Sequence, residues 1–194
     1  MQKIITKEEK LKKEKRNQLI VGGILILLML LSTLGYALTG RSDTNSSVKV
    51  NYKGISFVKN SDYWLFNYNG NDFSTSYHPE ETKNISFSNK LTLTDYTKKP
   101  LYFISESGQP NTEIARNLNN IILRFQPACL LSSDCSGNYP VKDCSQDNVI
   151  IIKRPVNNGT EKIYQSEKCV FITVNEQEET RYADAFLFSV LGIK

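Results

Sequence analysis

The sequence predicts an α/β protein in which an N-terminal transmembrane helix precedes an extracytoplasmic α/β sandwich with an N-terminal β-hairpin layer. An uncharged, apolar run near the N-terminus predicts the membrane helix. An Asn69-Gly70 pair between two alternating, aromatic-rich segments predicts the hairpin. Strand and helix patterns then alternate around the fully apolar residues 149–152, as is typical of a sheet covered on both faces. The 194 residues suit one such domain and one appendage.

The apolar run is the first element along the chain. No charged residue lies between Arg16 and Arg41, and the stretch from Leu19 to Leu38 is rich in Leu and Ile. Its 20 residues form about 30 Å of helix, which matches the hydrocarbon core of a bilayer. We therefore predict a transmembrane helix over residues 18–39 that contacts membrane lipid from Leu19 to Leu38.

The distribution of charge predicts the orientation of this helix. Residues 1–17 carry seven basic and three acidic side chains, so the whole net charge of +4 belongs to this tail. Short Lys-rich segments stay in the cytoplasm, which predicts a single-pass protein of the cell membrane with a cytoplasmic N-terminus. Residues 40–48 then form a polar linker, and residues 49–194 form the extracytoplasmic domain. Because residues 18–194 hold 17 charges of each sign, we expect no nucleic-acid partner.

The apolar run has a second interpretation, a signal sequence that is cleaved after Ala37. Gly35 and Ala37 are small residues at the spacing that cleavage requires. However, the run exceeds the roughly 7–15 apolar residues of an ordinary signal peptide, so an uncleaved anchor is favoured.

Four cysteines follow the membrane segment, and their spacing lacks the paired C-x2-C units of a zinc site. In an oxidising compartment they predict two disulfides and no bound metal. One disulfide closes a short loop and joins either Cys129 to Cys135 or Cys135 to Cys144. Cys169 then bonds to the cysteine that remains. Three sequons also lie on the predicted outer side, at Asn45, Asn84 and Asn158. Their number equals chance expectation, so they are only compatible with glycosylation.

The predicted hairpin places aromatic side chains on one face of each strand. One interpretation of these side chains is a ligand platform of Trp64, Phe66, Tyr68 and Tyr77. Cross-strand aromatic packing over a core is the commoner arrangement of such residues.

The C-terminal half predicts a series of strands and two helices. Strands are expected over residues 87–93, 101–104, 149–152, 162–164 and 169–174. A helix capped by Asn111 or Thr112 is expected to continue through Phe125, because apolar residues recur at steps of three and four. Asn175 is expected to cap a buried final helix.

Two short motifs each follow a predicted strand. One follows the strand over residues 101–104, and the other follows the strand over residues 169–174. Their residues are Gly108, Pro110, Asn111, Thr180, Arg181 and Ala183. Together with the order of elements over residues 101–193, they resemble a Rossmann-like domain of archaeal S-layer and cell-surface proteins. The resemblance implies a surface or envelope role and not catalysis.

The sequence contains no recognisable catalytic constellation, so we predict no catalytic residues, no enzyme activity and no cofactor. His78 is the single histidine, and the segment around Ser105 and Ser107 lacks the first glycine of a nucleophile elbow. The G-x-G-x-x-G dinucleotide motif is absent. The predicted function is a structural or protein-interaction role, with a protein partner in the cell envelope or a membrane assembly. The alternative is a small-ligand or glycan-binding module, followed by an extracytoplasmic hydrolase.

Overall fold

The computed structural model describes residues 7–39, 48–88, 90–105, 108–131, 137–156 and 159–194. The chain divides into two compact units, Met1–Ser46 and Ser47–Lys194. In the first unit, α1 (Lys7–Thr39) is one helix of 33 residues. Its segment Lys12–Thr33 is long and apolar enough to cross a membrane, and none of it is buried.

The second unit begins with an antiparallel sheet, here called the meander sheet, whose strands are neighbours in chain order. They are β1 (Lys49–Tyr52), β2 (Ile55–Asn60), β3 (Tyr63–Tyr68) and β4 (Asn71–Thr75). The predicted hairpin is confirmed, because β3 and β4 pair around Asn69 and Gly70. Both turn residues have positive φ, 49° and 79°, as a type I′ turn requires.

The rest of the unit contains a second sheet, here called the mixed sheet, a separate pair of two-residue strands (Cys129–Leu130 with Val141–Lys142) and helices. The elements are a 3-10 turn (Pro79–Thr82), α2 (Leu93–Tyr96), β5 (Pro100–Ser105), α3 (Gln109–Leu118), β6 (Arg124–Pro127), β7 (Cys129–Leu130), β8 (Val141–Lys142), β9 (Asn148–Lys153), β10 (Lys162–Ser166), β11 (Cys169–Thr173), a 3-10 turn (Glu176–Glu178) and α4 (Glu179–Val190). The strand order is β10-β11-β9-β5-β6; β10 is antiparallel to β11, and the other neighbours are parallel. The chain is therefore a mixed α/β protein with an N-terminal apolar helix.

The helix α4 contributes to the packing of both sheets. Phe186 and Leu187 belong to the core cluster of the mixed sheet, which contains Ile150 of the central strand β9. Phe188, one position further, belongs to the core of the meander sheet and contacts Phe57 at 6.4 Å between ring centroids. This double contact explains why α4 is apolar on nearly every face.

The opposite face of the mixed sheet, which carries Val149 and Ile151, packs against Leu130 and Cys144 of the cysteine-bearing segment, defined here as residues 128–131 and 137–147. Cys144 and Cys169 form a disulfide, with 5.0 Å between their Cα atoms. This bond matches the alternative in which Cys169 pairs with Cys144, and it excludes a Cys135–Cys144 bond. Cys129 is also disulfide-bonded, while Cys135 lies outside the described residues.

The predicted strand over residues 87–93 is wrong. Phe87, Leu91 and Leu93 do face the core and pack against it. However, none of its described residues pairs in a ladder, and the Lys90 N–H donates to the side chain of Gln165 at 2.7 Å. The alternating pattern therefore reflects one buried side of an extended connection.

The helix expected to reach Phe125 ends at Leu118, and Phe125 lies in β6, paired with Leu101 of β5. Asn119 and Asn120, both weak helix formers, follow the last helical residue. The strand β6 instead forms a ladder with β5, and its backbone would lose these hydrogen bonds if α3 continued through it.

Both expected helix caps are displaced as well. The helix α3 begins at Gln109 with Gly108 as its cap, so Asn111 and Thr112 lie inside its first turn. Asn175 precedes the 3-10 turn Glu176–Glu178 and makes no side-chain capping bond, and α4 begins only at Glu179.

Candidate functional site

A groove lies between the outer face of the β3–β4 hairpin and α3. Side chains alternate along β3, so the residues between the buried aromatic positions face outward. The groove has a volume of about 460 Å³, which is in the range of small-ligand sites. Its lining includes Leu65, Asn67, Asp72, Ser74, Arg116 and Asn117.

Arg116 forms one wall of the groove and is held in a fixed orientation. Its guanidinium lies 4.4 Å from the ring centroid of Tyr63. Its Nε donates to Ser74 Oγ at 2.9 Å, and its Nη2 donates to the Ser74 carbonyl at 2.9 Å and to Glu113 Oε1 at 2.6 Å. The Arg116 side chain remains 32% exposed, so part of its charge faces the groove.

The opposite wall of the groove carries an amide and a carboxylate. Asn67 Nδ2 donates to Asp72 Oδ1 at 2.8 Å across the two strands. Asn117 instead binds the backbone of Ser74, accepting from its N–H and donating to its carbonyl, both at 2.8 Å. An apolar floor with a carboxylate, an amide and a guanidinium around it suits a polar ligand with some apolar surface.

Behind Arg116 lies a buried pair of carboxyl groups. Glu113 on α3 is 4% exposed and Asp184 on α4 is fully buried. Asp184 Oδ2 accepts from the Tyr77 N–H at 2.8 Å, and Glu113 Oε1 accepts from the Ser76 N–H at 3.2 Å. The pair therefore attaches the end of the meander sheet to both helices.

Burial raises the pKa of Asp184 well above its ordinary value, and the adjacent Glu113 carboxylate raises it further. Asp184 Oδ1 is buried and accepts no hydrogen bond from any described residue. Because two adjacent buried negative charges repel each other, a proton on Asp184 is favoured over two ionised carboxylates. Arg116 forms an ion pair with the Glu113 carboxyl group at 2.6 Å.

His78 is 5% exposed, and its described contacts are those of a helix cap and a core residue. Its Nδ1 accepts from the Glu80 N–H at 3.3 Å. Its ring lies against Tyr52, Phe57 and Trp64, with centroids 5.6, 4.9 and 4.8 Å away. Burial lowers the pKa of His78, so the neutral ring is favoured.

The four residues of the predicted ligand platform do not form one open surface in the structure. Phe66 is buried, and Trp64 and Tyr68 are half-buried; all three belong to the core of the meander sheet. Tyr77 is half-buried and donates its backbone N–H to Asp184. The large apolar side chains that are exposed on the hairpin are instead Tyr63 and Leu65, which occupy the alternate positions of the same strand.

The other predicted sites can be located in part. Asn84 is exposed in a turn after the first 3-10 turn, whereas Asn45 and Asn158 lie outside the described residues. Within the part of the chain that the structure describes, no cluster of His, Cys, Asp and Glu could hold a metal ion.

No family model, curated protein or solved structure matches this chain.

Proposed function

We propose that this chain is a single-pass, membrane-anchored protein whose extracytoplasmic α/β sandwich has a structural or protein-interaction role in the cell envelope or a membrane assembly. The observation that carries the proposal is α1, whose apolar segment Lys12–Thr33 is unburied and precedes a separate compact unit. Transfer of each Leu or Ile side chain from water to lipid is favourable by about 2 kcal/mol. A bilayer therefore provides the burial that this segment lacks.

Two independent features support an outward-facing domain. The basic tail favours a cytoplasmic N-terminus by the positive-inside rule. The Cys144–Cys169 disulfide favours an oxidising compartment for residues beyond the helix.

An exposed aromatic pair supports an interaction role. Tyr164 on β10 stacks on Phe171 of β11, with centroids 4.8 Å apart and an interplanar angle of 5°. Tyr164 is exposed and Phe171 is half-buried. Exposed aromatic residues are enriched at the centres of protein interfaces, so this pair is a suitable contact for a protein partner.

Protease treatment of intact cells that express the full chain tests the orientation. We expect residues 49–194 to be digested, while an epitope attached before Met1 stays protected until the membrane is permeabilised. A protected domain together with an accessible epitope would overturn the proposal.

A second candidate function, recognition of a small ligand or glycan, is supported by the groove beside Arg116. Asn67, Asp72 and the exposed ring of Tyr63 combine the polar and aromatic groups that suit a saccharide.

Alanine variants of the full chain, assayed against a panel of neutral saccharides, test the groove. We expect Asp72→Ala to weaken binding about tenfold without changing the melting temperature, because a charge-assisted hydrogen bond is lost at an exposed site. Asp62→Ala, which removes an exposed carboxylate outside the groove, is the matched control. Trp64→Ala is expected to lower stability by about 3 kcal/mol, because Trp64 packs in the core. Loss of binding in Trp64→Ala at unchanged melting would favour the inward aromatic row over the groove.

A further inference from the structure

A second, smaller pocket lies where α2 and β5 meet the cysteine-bearing segment. Its volume is about 160 Å³. The charged and polar side chains in its lining include Asp95, Lys99, Tyr102, Asp147, Asn148 and Lys168. It is separate in sequence and in lining from the groove beside Arg116.

The phenol of Tyr102 is held between two cationic side chains. Its oxygen accepts from Arg124 Nη2 at 2.9 Å. Lys142 Nζ lies 4.1 Å from the centroid of the Tyr102 ring. Both cations lower the pKa of Tyr102, and the hydroxyl proton is left to donate to a further acceptor.

The two carboxylates in the pocket are already engaged. Asp147 accepts from Lys142 Nζ at 3.2 Å. Asp95 Oδ2 accepts from the N–H and the hydroxyl of Thr92 at 2.8 and 3.0 Å, and these bonds lower the pKa of Asp95. The charge of Lys99 also lowers the pKa of Asp95, but no described carboxylate lies within ion-pair distance of the ammonium group of Lys99 or Lys168.

The amide of Asn148 and the ammonium of Lys168 are oriented by the backbone around the pocket. Asn148 Nδ2 donates to the Asp95 carbonyl at 3.0 Å, and Lys168 Nζ donates to the Gln146 carbonyl at 2.9 Å. An ammonium group has three N–H donors, so Lys168 retains two for a ligand.

We propose that this pocket binds a small oxyanion of the size of phosphate or sulfate, held by Lys99, Lys168 and the hydroxyl of Tyr102. Four cationic side chains lie in or beside the pocket against two carboxylates, which leaves an excess of positive charge. Hydrogen bonds from charged donors to oxyanions are the stronger kind. The volume of about 160 Å³ is sufficient for such an ion and lies below the roughly 300 Å³ at which sites for drug-sized ligands begin.

Calorimetric titration of the full chain in neutral detergent, at constant ionic strength, tests this site. Inorganic phosphate or sulfate is expected to bind saturably, and acetate and chloride serve as comparison ions. The double variant Lys99→Gln/Lys168→Gln is expected to bind at least about tenfold more weakly, because two charge-assisted bonds are lost. Lys162→Gln, which removes an exposed lysine from β10, is the control and should bind as the unmodified protein does. Absence of saturable binding, or equal weakening in the control, would overturn the site.

A second measurement follows the ionisation of Tyr102 by the absorbance of tyrosinate in an alkaline titration. The difference between the unmodified protein and Tyr102→Phe isolates this group from the other tyrosines. Saturating phosphate is expected to raise the pKa of Tyr102, because a bound anion disfavours the phenolate. An unchanged Tyr102 transition would place the phosphate elsewhere and refute the proposed contact.

Discussion

Replacement of Asp184 by alanine is expected to lower the free energy of unfolding by about 3 kcal/mol. The variant removes the fully buried acceptor of the Tyr77 N–H and the carboxyl group that lies beside Glu113. Asp184→Asn is expected to cost about 1 kcal/mol or less, because its amide can accept from Tyr77 and donate to Glu113 as the protonated acid does. Urea denaturation at neutral pH measures both values.

Asp72→Ala is the matched control for the two variants at position 184, because it removes an exposed carboxylate. It should change the free energy of unfolding by about 0.5 kcal/mol or less. If asparagine and alanine at position 184 destabilise equally, Asp184 is not the protonated member of the pair.

The carboxyl pair also gives stability a defined dependence on pH. The pKa of Asp184 is raised in the folded protein, so the folded state holds a proton that the unfolded state releases. The stabilisation that comes from this raised pKa is fully present below the ordinary pKa of an aspartate. It is lost as pH rises through the pKa of Asp184 in the folded protein. Asp184→Asn should abolish this part of the pH dependence.

Removal of the Cys144–Cys169 bond by serine substitution at both positions is expected to destabilise the protein by about 3 kcal/mol. The two cysteines are 25 residues apart, and a link of that length restricts the unfolded chain substantially. The bond also attaches the covering segment to the start of β11, where Cys169 is fully buried. The melting temperature, measured with and without reductant, checks the prediction.

In this experiment the reductant should lower the melting temperature of the unmodified protein more than that of the double variant, which has already lost this bond. Equal stability of the two proteins without reductant would contradict a structural role for the disulfide.

The elements that the sequence predicts well depend on local signals. Asn69 and Gly70 set the hairpin because their backbone conformation alone defines the turn. The run from Val149 to Ile152 identifies the central strand because a strand buried on both faces needs apolar side chains at every position.

The elements that the sequence predicts poorly depend on distant partners. Ile121 and Phe125 continue the helical spacing of α3, and only the ladder with β5 shows that Phe125 belongs to a strand. The inward face of β3 is fixed by residues such as Phe188, more than one hundred positions away along the chain. For the same reason, Leu65 and not Trp64 lines the groove.

The buried carboxyl pair was missed for a related reason. Glu113 and Asp184 are separated by 71 positions, and each resembles an ordinary charged residue on a helix surface. Their burial follows from the packing of α3 on α4 and from the backbone of residues 74–77 that closes over them. One sequence signal was present, a single acid within the otherwise apolar stretch from Tyr182 to Phe188.

Because α4 contributes side chains to both cores, the stability of each sheet depends on this helix. Melting of this helix would remove Phe186 from one core and Phe188 from the other at the same time. The meander sheet therefore has no route to partial unfolding that spares the mixed sheet once α4 is lost. Residues 48–194 are expected to unfold as one cooperative unit. A substitution near the hairpin that destabilises the meander sheet therefore also destabilises the region around the disulfide.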